Sequence, residues 1–259
     1  MRILITGASR GIGRAIARRL ARDGAKLALC ASSPSTELDA SAADCRANGA
    51  DVVALAGDLA VHETPQRLID AAADAFGGLD GVVSNAGIVK SGPLNTLDPL
   101  AWDQVFNVNV RSVWQLARAA HPHLKATAGA MVAVGSMSGV EPYAGTGAYS
   151  PSKAALIMLV RVLAQEWAAD GVRINAVSPG LFLSALTAPI YADKQMKSAR
   201  EALVPMGRIG EPSRDCAGLV EFLLSADATY MTGQNIIVDG GLLGSIQSHV
   251  AGRPQTAVR

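Results

Sequence analysis

Apolar residues gather into short runs separated by longer stretches with helical spacing, and this alternation continues along almost the whole chain. Runs of strand length occupy residues 3–6, 27–31, 52–56, 79–84, 131–135, 173–177 and 235–238. Several of the helices between them carry start signals. Thr64-Pro65 and Asp98-Pro99 each place a capping side chain before a proline suited to the first helical position. Gly24, Gly49 and Gly171 stand where helices should stop before the next strand. Strand–helix–strand order with short connections predicts right-handed crossovers and a parallel sheet covered on both faces. The predicted fold class is therefore α/β: a Rossmann-type, doubly wound sheet of seven parallel strands. No repeat, linker or composition break divides the chain, so residues 1–259 are expected to form one domain. Two segments break the alternation: the connection 181–206 and the tail 242–259.

Composition narrows the function classes. The chain has 259 residues, 49% of them hydrophobic but only 4% aromatic, so aliphatic side chains must build the core. A formal net charge of +1 without charge blocks argues against nucleic acid or an anionic membrane surface as partner. Cys30, Cys45 and Cys216 are odd in number and widely spaced, as expected of reduced thiols in a cytoplasmic protein. The N-terminus runs from Met1-Arg2 into a strand and a glycine-rich turn, with no signal-peptide pattern expected there. The longest apolar run, 154–160, is too short to span a bilayer. His62, His121, His123 and His249 have no metal-ligand spacing, and no metal is expected.

Two motifs carry candidate chemistry. Thr6-Gly7-Ala8-Ser9-Arg10-Gly11-Ile12-Gly13 lies between the first strand and the first helix. Glycines there allow a tight turn and let a pyrophosphate approach the free N–H groups of a helix start. The spacing is GxxxGxG rather than the commoner GxGxxG, and a plain structural turn is the competing reading. Tyr149-Ser150-Pro151-Ser152-Lys153 puts a phenol and an ammonium four residues apart on one helix face. Pro151 confines Tyr149 to the helix start. Lys153 and that terminus are expected to lower the phenol pKa toward neutrality, making Tyr149 a usable general acid or base.

With these motifs the chain resembles the short-chain dehydrogenase/reductase family along nearly its whole length. The resemblance also rests on Asp58, Ser84-Asn85-Ala86-Gly87, Asn107-Val108-Asn109, Gly135-Ser136, Ser178-Pro179-Gly180 and Val238-Asp239-Gly240-Gly241. It implies strand order 3-2-1-4-5-6-7 and a catalytic set of Asn109, Ser136, Tyr149 and Lys153. Tyr149 would exchange the proton, and Ser136 would hold the carbonyl oxygen. Lys153 would depress the Tyr149 pKa and hold the nicotinamide ribose, and Asn109 would hold a water in a proton relay. Ser138 is a rival hydroxyl, but the family spacing to Tyr149 favours Ser136.

Implied cofactor contacts are Gly7, Ser9, Arg10, Gly11, Ile12, Gly13, Ser32, Ser33, Asp58, Leu59, Asn85, Ala86, Gly87, Tyr149, Lys153, Pro179, Gly180 and Phe182. NAD-preferring relatives usually end the second strand with a carboxylate. Here that stretch reads Cys30-Ala31-Ser32-Ser33-Pro34, and Arg10 stands nearby to meet a 2′-phosphate, so NADP(H) is expected over NAD(H).

Substrate contacts are expected from Ser136, Met137, Glu141, Tyr143, Tyr149 and Leu186, with Val89, Val140, Leu181, Phe182, Tyr191 and Met196 beside them. Such a pocket suits a small or medium-sized carbonyl compound, and the segment 181–206 is long enough to act as a lid. The pattern leans toward 3-oxoacyl-acyl-carrier-protein reductases, but the basic docking charge of those enzymes looks depleted around His123 to Gly129, so a free small molecule is preferred. An NAD-linked sugar or polyol dehydrogenase is the alternative among enzymes, and a nucleotide-binding redox sensor the alternative outside them. The run 154–160 is apolar around its helix, and the family pattern covers such a face by assembly, usually as a homotetramer.

Overall fold

The computed structural model describes residues 1–184 and 187–245. One sheet of seven parallel strands runs through it in the order β3-β2-β1-β4-β5-β6-β7, as the family pattern predicted. The strands are β1 (Arg2–Thr6), β2 (Lys26–Ala31), β3 (Asp51–Ala56), β4 (Gly81–Ser84), β5 (Ala130–Val134), β6 (Arg173–Pro179) and β7 (Asn235–Val238). Six of the seven bounds shift by one to two residues from the apolar runs. β4 starts at Gly81, two residues later than its apolar run, and the Asp80 carboxylate just before it accepts from the Arg2 backbone N–H and Nε at 2.8 and 3.1 Å.

Helices α1 (Gly11–Leu20), α2 (Thr36–Ala47) and α9 (Ala217–Leu224) cover one face. They bury Ile16, Leu20, Leu38, Val220 and Leu223 against Ile3, Ile5, Leu27, Leu29, Val132 and Val177. The other face carries α3 (Thr64–Phe76), α4 (Pro99–Phe106), α5 (Ser112–Thr127) and α6 (Tyr149–Trp167). There Leu68, Ile69, Leu116, Leu124, Leu156 and Val160 pack on Leu4, Ala28, Val82, Met131, Ile174 and Ala176. Alternate residues of each strand thus serve opposite layers.

Local signals account for most helix ends. Ser35 caps α2 by accepting from the Leu38 N–H at 3.2 Å, and Asp98 caps α4 by accepting from Leu100 at 2.9 Å. Thr64 is a correction: it is the first residue of α3, and Glu63 occupies the cap position without a side-chain bond. Between α4 and α5 the helix widens into a π turn, Asn107–Arg111, an insertion that a continuous apolar period conceals. The segment 181–206 is not a plain loop. It contains α7 (Ala188–Ala192) and α8 (Lys194–Glu201), the latter capped by Asp193, which accepts from Gln195 and Met196. Of the tail, residues 246–259 lie outside the described residues, as does Leu186. No described helix is long and apolar enough to cross a membrane.

Candidate active site

The sheet order reverses between β1 and β4, which opens a crevice at the carboxyl ends of these strands. Two loops meet there. Thr6 Oγ1 accepts from the Asn85 and Ala86 N–H groups at 3.0 and 3.1 Å. Asn85 Nδ2 returns bonds to the Thr6 and Gly7 carbonyls, both at 3.1 Å. The glycine-rich turn is also held from beneath by Ser41, whose buried hydroxyl donates to the Ala8 carbonyl at 2.8 Å. Gly13 has a steric role: a Cβ there would stand 2.2 Å from the Gly7 oxygen, so α1 packs directly on its own entry turn.

Whether this crevice fits a dinucleotide can be judged from α1 itself. Its cap residue, Arg10, is extended and makes no side-chain bond to the first turn, and that turn carries no acidic residue. The leading N–H groups therefore lack a side-chain cap and suit an anion. Arg10, Ser32 and Ser33 are exposed around the mouth. The Arg10 guanidinium contributes to holding the Glu37 carboxyl below the usual glutamate range, behind the larger effects of its own backbone and of Ser35. Asp58 is exposed and accepts from the Ala60 N–H at 2.9 Å, while Leu59 is buried beside it. The residues present fit a phosphate-bearing dinucleotide.

The candidate catalytic groups converge at the end of β5. Ser136 follows that strand, accepts from the Ser138 N–H at 3.1 Å and lies near enough to the Tyr149 phenol to draw its pKa down. Of the two serines, Ser136 rather than Ser138 is the one that influences the phenol. The turn Met137–Gly139 lies against α6 so closely that a Cβ on Gly139 would stand 2.7 Å from the Lys153 carbonyl carbon. Lys153 is 4% exposed; its Nζ donates to the Val134 carbonyl at 2.8 Å and sits 5.8 Å from the Tyr149 ring centre.

Asn109, fully buried in the π turn, accepts from the Ile88 N–H at 2.9 Å and donates to the Ile88 carbonyl and Ser152 Oγ, both at 3.0 Å. Its side chain fastens the loop after β4 to α6. Gly87 joins the two groups, since a Cβ there would lie 3.3 Å from Asn109 Oδ1 and 3.5 Å from Lys153 Nζ.

Electrostatics correct one expectation. The Tyr149 pKa is raised, not lowered: burial is the largest cause, Ser136 offsets part of it, and Tyr143 adds a repulsion. The Lys153 ammonium is directed to the Val134 carbonyl, with its Nζ over the Tyr149 ring, and burial outweighs the groups that favour the phenolate. Burial also pulls Lys153 itself down to about 8. At neutral pH the phenol is therefore protonated, the form that can give a proton away.

The expected substrate side is mixed. Met137 and Val89 are half-buried at the catalytic turn, and Val140, Glu141 and Tyr143 are exposed on the loop that leads into α6. Tyr191 is buried in α7 and Met196 exposed on α8. Phe182 is 5% exposed and packs with the core, so close to Gly210 that a Cβ there would meet its ring at 2.8 Å, and it also lines a small cavity with Leu181 and Gly210. The chain after β6 folds back on itself there, with Gly210 donating to the Leu181 carbonyl and Leu183 donating to Gly210, both at 2.9 Å. Pro179 is buried, and Gly180 donates to the Val238 carbonyl at 2.8 Å. A cavity of about 120 Å³ lies beside them, lined by Leu181, Met206, Arg208, Asp215 and Asp239 among others. A larger cleft, about 540 Å³, opens between α3 and α5, and none of the expected site residues lines it. His121 is committed elsewhere, 2.8 Å from an Asp170 carboxylate oxygen.

Comparison with known proteins agrees with this geometry. A family model described as enoyl-(acyl carrier protein) reductase matches residues 7–243. Dehydrogenase/reductase SDR family member 4 of Oryctolagus cuniculus is 35% identical over 240 residues, 92% of each chain. A tropinone reductase homolog of Arabidopsis thaliana is 37% identical over 244 residues, 93% of this chain and 90% of that one. Among solved structures, a putative short-chain alcohol dehydrogenase from Sinorhizobium meliloti superposes with a TM-score of 0.89 at 38% identity, covering 95% of this chain and 97% of that one. The RhlG/NADP active-site complex of Pseudomonas aeruginosa gives 0.86 at 35% identity, covering 93% and 95%. Sheet order, crevice and the joined Ser136–Tyr149–Lys153 cluster fall into place together: the chain belongs to the short-chain dehydrogenase/reductase family of oxidoreductases.

Proposed function

We propose that this chain is an NADP(H)-dependent oxidoreductase that interconverts a ketone or aldehyde and an alcohol on a free small molecule. The observation that carries the reading is the convergence of Ser136, Tyr149 and Lys153 at the end of β5, with the Lys153 Nζ 5.8 Å from the Tyr149 ring centre and Gly87 beside that Nζ at the mouth of the crevice. The nicotinamide, when bound, supplies or takes the hydride. Tyr149 gives its proton to the carbonyl oxygen, and Ser136 donates to that oxygen as charge develops on it. Lys153 offsets the charge left on the phenol and is a natural donor to ribose hydroxyls. Asn109 keeps the wall around Lys153 in place through Ile88 and Ser152. In the oxidative direction the same groups run in reverse, with Tyr149 as base.

NADP(H) is preferred over NAD(H) because no carboxylate ends β2, while Arg10, Ser32 and Ser33 offer donors to a 2′-phosphate. The complex of RhlG is with NADP, and so is that of a putative 2-deoxy-D-gluconate 3-dehydrogenase from Agrobacterium tumefaciens at 33% identity. Arg10→Ala is expected to raise KM for NADPH about ten- to a hundredfold while changing that for NADH little. Parallel losses, or a wild type with equal or better kcat/KM on NADH, would overturn the assignment.

A free substrate is favoured over a carrier-bound acyl chain because Lys125, near the end of α5, is already paired with Asp170 at 2.6 Å. The buried thiols of Cys30, Cys45 and Cys216 suit the reducing cytoplasm. Met158 and Val162 are exposed on α6, with Trp102 and Trp114 exposed on the neighbouring α4 and α5. That apolar face supports a homotetramer, which light scattering would show as about four times the single-chain mass.

A further inference from the structure

We infer that Arg111 is a positioning residue that locks the segment after β3, carrying Asp58 and Leu59, to the same π turn that carries Asn109. Two residues apart on a helix, the side chains of Asn109 and Arg111 leave in nearly opposite directions. Asn109 reaches Ile88 and Ser152 on the catalytic side. The Arg111 guanidinium donates instead to the Ala60 carbonyl, across 51 residues of sequence. Both backbone groups of Ala60 are thereby engaged, because its N–H donates to the Asp58 carboxylate at 2.9 Å. Upstream, Arg67 of α3 donates to the Ala56 carbonyl at 2.9 Å, so guanidinium groups clamp the segment on either side of Asp58.

Packing alone does not explain this arginine. Among the described residues Arg111 has no carboxylate partner, it is half-buried, and its Nε is buried without any acceptor. A half-buried cation that gains only one backbone bond is poor value for stability, and a neutral side chain would fill the space more cheaply. Its return lies in the segment it holds, which on the nucleotide reading carries the adenosine contact Asp58. The π turn then holds two segments at once: Asn109 the loop by Lys153, Arg111 the segment with Asp58. The inference rests on the nucleotide-binding reading proposed above and deepens it, assigning to Arg111 the placement of the adenosine-side contact.

The test compares wild type, Arg111→Met and Arg111→Lys, titrating NADPH and 2′,5′-ADP by calorimetry and following amide hydrogen exchange in residues 57–61 without ligand. Arg111→Met is expected to weaken both ligands about tenfold and to speed exchange in that segment, with kcat at saturating NADPH within about twofold of wild type. Arg111→Lys is expected to recover part of the affinity, and it decides the matter if the Met variant fails to fold. Unchanged affinity for 2′,5′-ADP in both variants overturns the inference, as does kept affinity with lost kcat. A wild type that binds NADPH while the variants bind it equally sinks this inference alone. A wild type that binds neither ligand sinks the nucleotide reading with it.

Discussion

Tyr149→Phe is expected to lower kcat/KM by about a hundred- to ten-thousandfold, while NADPH still binds and the melting temperature hardly moves. The change removes one oxygen from a ring that stays in place. Burial raises the pKa of that hydroxyl, with Ser136 offsetting part of the rise, so it is protonated at neutral pH. A raised pKa leaves the phenol protonated but makes it a weaker acid, so the charge it takes on as the proton leaves must be supported by Lys153 and Ser136 in either direction. The loss should accordingly fall on kcat rather than on KM for the cofactor. Turnover within about threefold of wild type would show that another group moves the proton.

Lys153→Met is expected to do two opposite things: to remove most of the activity and to stabilise the folded chain. Burial takes Lys153 from an ordinary value near 10.5 down to about 8. The folded chain therefore holds this proton more weakly than the unfolded chain does. At pH 7 both states carry the charge, and the folded state bears the desolvation cost, on the order of 3 kcal/mol. Between about pH 8 and 10.5 the unfolded chain binds more protons, so wild-type stability gains from this group as pH rises through that window. Methionine fills a similar volume without the charge but leaves the Val134 carbonyl unpaired, which returns part of the gain. A net stabilisation of about 1–3 kcal/mol at pH 7, shrinking toward pH 10.5, is expected from denaturant titrations across pH. A variant less stable than wild type at pH 7 would contradict it. Stability traded for a buried cation in this way is a common cost of an active site.

The groups that were legible before the fold was known lie close together in sequence or at the ends of strands. Tyr149 and Lys153 share a helix face by spacing alone, and Ser136 follows directly on an apolar run. What sequence could not show was orientation and distant support. The direction of the Tyr149 shift depended on the burial of the phenol, and the Lys153 ammonium points to Val134. That the chain after Pro179-Gly180 folds back on Gly210, burying the Phe182 ring at the edge of a small cavity, has no local signal either.

Ser41 beneath Ala8, Thr6 across to Asn85 and Arg111 onto Ala60 join residues 33 to 79 positions apart, which no local pattern encodes. The helix α8 was missed although Asp193 before Lys194-Gln195-Met196-Lys197 is a capping signal followed by good helix formers. The π turn left no signal, because one extra residue hardly disturbs the apolar period on either side.

The most direct measurement follows an isotope rather than a rate. Wild type and Tyr149→Phe would each be given a small diketone and NADPH carrying deuterium at the transferable nicotinamide position, and the alcohol would be examined by mass spectrometry and NMR. One deuterium on the newly formed carbinol carbon with wild type, and next to no product with Tyr149→Phe, is the predicted result. Consumption of NADPH that leaves the carbinol carbon unlabelled, or labelled alcohol formed equally by both proteins, would contradict it.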